Sequence, residues 1–204
     1  MPIAMTQAQR EELNVNGFTV LESVLQGPAL QRVIDEVATL PGGRGRHAVS
    51  EVCRELMEHP AILPLVVDAA GWNIHCRECI LRKDNPRAPT QSGVERLGAA
   101  WHFDYHEEHY GTTYDGLQPM LDFKASWFLS DHLEPGHACT LVVSGSHLWT
   151  VEQRDTWEQW LKPEDVVPIR VPIGSVMLWR NQILHAVAPN LGQSQRIHLY
   201  FGYS

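Results

Sequence analysis

The chain has 204 residues, of which 44% are hydrophobic, and its formal net charge is −8 at pH 7. This length suits one domain with a substantial core, so residues 1–204 are predicted to form a single domain. The negative charge and the lack of a Lys/Arg-rich run argue against nucleic acid and anionic membranes as partners. No apolar stretch reaches the ~20 residues that cross a bilayer. The N-terminus also lacks the pattern of a signal peptide, so we expect a cytoplasmic protein.

Residues 1–71 are predicted to be largely helical. Thr6 begins a capping-box pattern, which indicates the start of a short helix. Pro28 stands at a favourable first-turn position, and apolar residues at helical spacing follow it. Ser50 is a candidate N-cap for a third helix, and residues 64–70 favour a fourth. A strand candidate at 17–21 interrupts this helical part.

Residues 72–204 show a different pattern, in which short strand candidates recur between Gly, Pro and Asn turns. The candidates are 72–81, 99–105, 120–129, 138–143, 166–171, 175–180, 183–187 and 195–202. One helix is expected at 154–161, and the polar segment 83–98 is predicted to be a loop. Helices followed by many short strands indicate a mainly β fold with flanking helices. The specific prediction is a double-stranded β-helix, which is a jelly-roll or cupin-like barrel.

His102 and Asp104 are separated by one residue in a strand candidate rich in aromatic side chains. Because alternate side chains of a strand share one face, the two can bind the same metal ion. One imidazole and one carboxylate make up two-thirds of the facial triad that holds non-haem Fe(II). The spacing is also common by chance, and a hydrogen-bonded His–Asp pair is an equally good interpretation.

His185 and Arg196 are the candidates for a third ligand and an anion anchor. His185 ends an apolar segment, where a single histidine is more often a packed core residue than a ligand. Arg196 stands at the head of an apolar strand, and an arginine that points inward there needs an anionic partner. Its planar guanidinium suits a carboxylate. A surface arginine at a strand end fits this position equally well.

Five segments of the chain, in order, resemble the phytanoyl-CoA dioxygenase family of Fe(II)- and 2-oxoglutarate-dependent oxygenases. They are residues 16–25, 80–86, 101–104, 139–147 and 185–196. The resemblance implies a double-stranded β-helix. It also implies that His102, Asp104 and His185 are the iron ligands at the catalytic centre, with Arg196 binding the C5 carboxylate of 2-oxoglutarate.

The same resemblance implies that Trp127 lines the cosubstrate pocket, although a core tryptophan is nearly as good an interpretation. Val187 stands where many members have a Ser or Thr that assists the arginine, which leaves the carboxylate contacts in question. Ser144 replaces a usual proline in a turn. Related halogenases lack the carboxylate ligand, so Asp104 argues against halogenation.

The resemblance implies that Fe(II), 2-oxoglutarate and O2 together oxidise an unactivated C–H bond of a small molecule. Hydroxylation, desaturation and ring formation start in the same way, so the ligands do not distinguish them. An amino-acid-like metabolite or a natural-product intermediate is the expected substrate. Residues 105–120 are interpreted either as a lid over the pocket or as a solvated acidic loop. Trp101, Trp179 and residues 83–98 are further candidates for the pocket lining.

The alternative is a cupin-type, metal-binding jelly roll that acts as an isomerase, an epimerase or a non-catalytic sensor. Such a protein would use the same two histidines. It would, however, leave Arg196 without a cosubstrate to bind.

Overall fold

Two antiparallel β-sheets form the centre of the computed structural model, which describes residues 5–87, 100–104, 120–133 and 138–204. The major sheet has the strand order β1-β7-β4-β9-β3-β2, and the minor sheet has the order β6-β5-β8. The strands are β1 (Phe18–Leu21), β2 (Gly43–Arg44), β3 (Cys76–Asp84), β4 (Phe123–Phe128), β5 (Thr140–Val143), β6 (Val166–Ile169), β7 (Val176–Arg180), β8 (His185–Val187) and β9 (Arg196–Tyr203).

Helices occupy most of the N-terminal third, as the sequence predicts. They are α1 (Gln7–Val15), α2 (Gly27–Thr39), α3 (Glu51–Met57) and α4 (Leu63–Ala70), with α5 (Val151–Asp155) and α6 (Trp157–Trp160) later in the chain. The predicted caps are confirmed: Thr6 forms a full capping box at α1, and the Ser50 hydroxyl accepts from the Cys53 amide at α3. Pro28 occupies the first turn of α2. None of the helices in the described ranges is long and apolar enough to cross a bilayer.

The largest hydrophobic core lies between the N-terminal helices and one face of the major sheet. Val37 of α2, Val52 of α3 and Val66 of α4 are fully buried there, together with Trp127 of β4 and Leu199 of β9. Because side chains alternate along a strand, the other face of β4 and β9 points toward the minor sheet. The prediction of a mainly β fold with flanking helices is confirmed, and the two sheets are consistent with a jelly roll.

Two strand predictions are wrong in their extent. The strand expected at 72–81 begins at Cys76 and continues to Asp84, so Lys83 and Asp84 belong to β3 rather than to a loop. Pairing with β9 explains the extension, because Asp84 is the register partner of Arg196. The strand expected at 99–105 is reduced to one bridge between His102 and His185 in the part of it that is described. The loop predicted at 83–98 and the lid or loop predicted at 105–120 cannot be compared over most of their length, because residues 88–98 and 105–119 lie outside the described residues.

Candidate metal and cosubstrate site

His102, Asp104 and His185 come together at one end of the minor sheet. Each offers one potential ligand atom, and these three atoms lie within 4.8 Å of one another. His102 Nε2 is 3.8 Å from Asp104 Oδ1, and His185 Nε2 is 3.8 Å from Asp104 Oδ2. Backbone hydrogen bonds of 3.0 and 3.1 Å between the two histidines fix their separation. These side chains can hold one metal ion.

The hydrogen bonds of the two imidazoles leave Nε2 free to act as a ligand. The Nδ1 atom of His102 is 3.0 Å from the Ala100 carbonyl, and that of His185 is 3.0 Å from the Ile183 carbonyl. A carbonyl oxygen only accepts, so each Nδ1 must carry the proton and donate it. The lone pair is therefore on Nε2, as in most metal-binding histidines. Burial lowers the pKa of His185 to about 4, so the ring is neutral at pH 7.

Lys124 is a partner of Asp104 that the sequence reading did not identify. Its Nζ donates to Asp104 Oδ2 at 2.5 Å, and its side chain is only 3% exposed. Burial alone would raise the pKa of Asp104, but the charge that His185 carries in the acid range and the permanent charge of Lys124 outweigh it, and the pKa is lowered. The carboxylate is therefore ionised at neutral pH. Its Oδ2 is held by the ammonium, whereas Oδ1 faces His102.

Two further carboxylates surround the Lys124 ammonium. Glu78 Oε2 is 3.5 Å away and Asp122 Oδ2 is 3.9 Å away. Burial lowers the pKa of Lys124, but Asp104 and Asp122 raise it by more, so the lysine stays charged. Burial raises the pKa of Asp122 to about 7. Neither Asp122 oxygen accepts a hydrogen bond from any described residue, so this carboxylate is the poorly solvated member of the cluster.

Arg196 begins β9 with its side chain 2% exposed and its guanidinium lining the same cavity as the three candidate ligands. One terminal nitrogen donates to Asp84 Oδ2 at 2.7 Å. The other donates to His198 Nδ1 at 2.5 Å and to Thr140 Oγ1 at 3.4 Å. The Nε atom is buried and has no hydrogen-bond partner among the described residues. Thr140 thus offers Arg196 a hydroxyl acceptor, which is the contact that a Ser or Thr at position 187 would make and that Val187 cannot make.

The cavity between the sheets joins the candidate metal ligands to Arg196. It encloses about 500 Å³ of empty space, including its open mouth. The rest of its wall comes from both sheets and comprises Arg82, Lys124, Ser126, Thr140, Trp179, Val187, His198 and Tyr200. The position of Trp179 agrees with the sequence prediction.

Two predicted lining residues do not reach the cavity. Trp127 is fully buried on the helical side of the major sheet, where its ring meets His59 with the centroids 5.1 Å apart. Its neighbour Ser126 faces the cavity instead, because adjacent side chains of a strand point to opposite faces. We therefore remove Trp127 from the candidate cosubstrate site. Trp101 packs in a separate core with Phe103 and does not line the cavity.

One sequence signal could have found Lys124. It is the only charged residue in β4, whose other residues are Phe123, Ala125, Ser126, Trp127 and Phe128. A lysine in a strand buried on both faces requires anionic neighbours. The partners of Arg196 gave no comparable signal, because Asp84 and Thr140 are distant in sequence and their contacts depend on strand pairing.

A model of the phytanoyl-CoA dioxygenase (PhyH) family matches residues 20–198, which is most of the chain. The chain belongs to the PhyH family. Enzymes of the PhyH family use Fe(II), 2-oxoglutarate and O2, so the predicted family and cofactors are confirmed at this level. Membership places the chain in the general class of 2-oxoglutarate-dependent oxygenases.

Solved structures similar to this PhyH-family chain share its fold. HygX from Streptomyces hygroscopicus with nickel and 2-oxoglutarate bound has a TM-score of 0.76 at 20% identity, covering 98% of this chain and 86% of that one. EctD from S. alaskensis with bound Fe has a TM-score of 0.75 at 16% identity, covering 98% and 76%. The α-ketoglutarate-dependent carbocyclase SnoK from nogalamycin biosynthesis has a TM-score of 0.73 at 18% identity, covering 98% and 83%. No curated protein sequence matches the chain.

Proposed function

We propose that this chain is an Fe(II)- and 2-oxoglutarate-dependent hydroxylase of a small molecule. In this proposal His102, Asp104 and His185 bind the iron, and Arg196 binds the far carboxylate of 2-oxoglutarate. The observation that carries the proposal is that the three candidate ligands and the buried guanidinium line one cavity. The chain would act as a single domain, with neither nucleic acid nor a membrane as partner.

The donor set fits Fe(II). Two neutral imidazole nitrogens and one carboxylate oxygen are the ligands of non-haem iron oxygenases, which leave other coordination positions open. When bound, the iron supplies the activation of O2 coupled to decarboxylation of 2-oxoglutarate. Asp104 is retained in the ligand set, which argues against a halogenase. Lys124 would keep Asp104 ionised and hold its orientation through Oδ2.

The surroundings of Arg196 support a dicarboxylate cosubstrate. Its Nε is a buried N–H donor with no acceptor in the described part of the chain, and an incoming carboxylate would supply one. Asp84 binds one terminal nitrogen of Arg196, and Thr140 and His198 bind the other. The guanidinium is therefore oriented before the cosubstrate arrives. Such preorganisation lowers the entropy that binding must overcome.

The rest of the cavity wall would protect the reacting centre from water. Trp179 donates its Nε1 hydrogen to Ser126 Oγ at 2.8 Å, which fixes the indole against the cavity, and its ring packs edge-on to His185 with the centroids 4.7 Å apart. The related structures named above come partly from biosynthetic enzymes, which favours a metabolite or natural-product intermediate as the substrate class.

The decisive experiment measures succinate release from 2-oxoglutarate by purified protein with Fe(II), ascorbate and O2. We expect oxygen-dependent succinate formation, even without substrate, and its loss in His102→Ala and Asp104→Ala. Calorimetry with Ni(II) and 2-oxoglutarate should show binding that Arg196→Ala abolishes.

The same measurements separate the alternatives. Metal binding without 2-oxoglutarate binding would contradict the proposal and favour a cupin-type isomerase or sensor. Once a substrate is found, the product mass identifies the outcome. Addition of one oxygen atom supports hydroxylation, loss of two hydrogens indicates desaturation or cyclisation, and an unchanged mass indicates epimerisation.

A further inference from the structure

An outer recess adjoins the cavity on the side of His102. It encloses about 910 Å³ of empty space, including its opening. The end of β3 and the residues after it form one wall, residues 187–190 form another, and Ala100 and His102 complete the described lining. Arg82, His102 and Val187 line both spaces, so a molecule in the recess reaches the candidate metal ligands directly.

Two arginines give this recess its charge. Arg82 and Arg87 are exposed, and neither side chain forms a hydrogen bond or ion pair with any residue that the structure describes. The carboxylate in the recess wall, Asp84, is already paired with Arg196 at 2.7 Å. Two guanidinium ions five positions apart therefore remain without a counter-charge in the described part of the wall.

Hydrogen bonds within the protein already engage most of the asparagine side-chain groups that line the recess. The Asn85 carbonyl accepts from the Gln195 amide at 2.7 Å. The Asn190 side-chain amide donates to the backbone carbonyls of Asp84 and Ser194, and its carbonyl accepts from the Gly192 amide. Asn190 therefore links the two walls. In the described part of the recess the two arginines, together with the side-chain nitrogen of Asn85, are the donors left to meet a ligand.

We propose that this recess binds the substrate and that the substrate carries an anionic oxyacid group, a carboxylate or a phosphate, held by Arg82 and Arg87. The inference rests on the proposed function, because it places the C–H bond to be oxidised beyond His102. Guanidinium groups match both kinds of oxyanion through paired N–H donors. The chain as a whole carries a net charge of −8, so two arginines that have no acidic partner among the described residues form a local site that favours an anion.

The first test compares compounds that differ only in charge. The protein is loaded with Fe(II) and 2-oxoglutarate, and succinate release is measured with small carboxylic acids against their primary amides and with phosphate monoesters against the parent alcohols. We expect at least one anionic series to accelerate succinate release about fivefold or more over its neutral partners. The series that responds distinguishes a carboxylate from a phosphate. If neutral or cationic compounds alone accelerate succinate release, the inference is wrong.

The second test measures binding without turnover. The best anion of each series is titrated into protein loaded with Ni(II) and 2-oxoglutarate, with tryptophan fluorescence as the readout. Arg82→Gln and Arg87→Gln should each weaken anion binding about five- to tenfold, because each removes one partly exposed charge-assisted contact. Lys162→Gln removes an exposed cation that lines neither the cavity nor the recess, and it should change nothing.

The outcomes separate this inference from the proposed function. If 2-oxoglutarate is never consumed but anion binding still depends on Arg82, the oxygenase proposal fails and the anion site stands. If Arg82→Gln weakens 2-oxoglutarate binding as strongly as Arg196→Ala does, Arg82 belongs to the cosubstrate site and the inference is overturned. Anion binding that both arginine variants leave unchanged would also overturn it.

Discussion

The two faces of β4 and β9 differ sharply although they are built from alternating residues of the same strands. On the helical face, Trp127 and Leu199 pack among apolar side chains of α2, α3 and α4. On the cavity face, Lys124 and His198 are also buried, yet Lys124 lies among carboxylates and His198 contacts the Arg196 guanidinium. The first face stabilises the fold through apolar burial, and the second maintains charged groups that are unfavourable unless they are paired.

This difference implies that substitutions on the two faces have separable effects. A change on the helical face should reduce stability without altering the binding of metal or 2-oxoglutarate. A change on the cavity face should alter how stability depends on metal or pH, or should alter cosubstrate affinity.

The largest effect is expected for Trp127→Ala. Truncating a fully buried tryptophan removes apolar contacts and leaves a cavity, which lowers the free energy of unfolding by about 3–5 kcal/mol. Urea unfolding measures this loss, and calorimetry of the folded variant should return unchanged Ni(II) and 2-oxoglutarate affinities. Trp160→Ala, at a side chain that is 44% exposed, is the control and should change stability by less than about 0.5 kcal/mol. If the folded Trp127→Ala variant bound 2-oxoglutarate more weakly, Trp127 would have to be assigned to the cosubstrate site after all.

Lys124→Met tests the charged face. Removing the ammonium leaves Asp104 and Asp122 without their nearest cation, whereas Glu78 keeps its ion pair with Arg44. Metal-free protein should therefore lose about 3 kcal/mol of stability. Because a divalent ion next to Asp104 restores positive charge, Mn²⁺ should raise the melting temperature of the variant by more than that of the unaltered protein. The exposed Lys162→Met is the control. Equal metal effects on variant and unaltered protein would show that Lys124 does not act on the metal ligand.

Asp122 should make stability depend on pH. Its pKa is raised to about 7 in the folded protein, so between about pH 4 and pH 7 the folded state binds more protons than the unfolded state. Its contribution to stability therefore falls as pH rises through this range. Asp122→Asn should be more stable than the unaltered protein by about 2 kcal/mol at pH 8, with little difference at pH 4. Urea unfolding at several pH values tests this, with the exposed Glu164→Gln as control. A constant difference across pH would contradict it.

The smallest effect is expected at Thr140. Its hydroxyl is 3.4 Å from the Arg196 guanidinium, so Thr140→Val should weaken 2-oxoglutarate binding about threefold. Calorimetry with Ni(II)-loaded protein gives the affinity. Val187→Thr is the comparison variant and should change binding by less than about twofold, because Thr140 already supplies the hydroxyl. If Val187→Thr changed 2-oxoglutarate affinity by more than Thr140→Val does, a hydroxyl on β8, and not the one on Thr140, would be the group that supports cosubstrate binding.

Several features could be predicted from the sequence because they depend on local rules. The capping residues Thr6 and Ser50 mark real helix starts, since the side chains satisfy amides within the same turn. The one-residue spacing of His102 and Asp104 allowed them to share a face. Trp127 shows where such reading fails, because β4 is buried on both faces and its sequence does not tell which face packs against the helices.

The sequence by itself determined the family, the mixed helical and β composition, and four side chains that the fold gathers around one cavity: His102, Asp104, His185 and Arg196. Only the tertiary structure decided which face each strand residue takes and which distant groups pair with these four. Lys124 reaches Asp104, and Asp84 reaches Arg196, through sheet pairing between segments far apart in the chain. The physical reason is that capping and alternation act within a few residues, whereas the pairing of buried charges depends on strand register, which is fixed only when the whole sheet assembles.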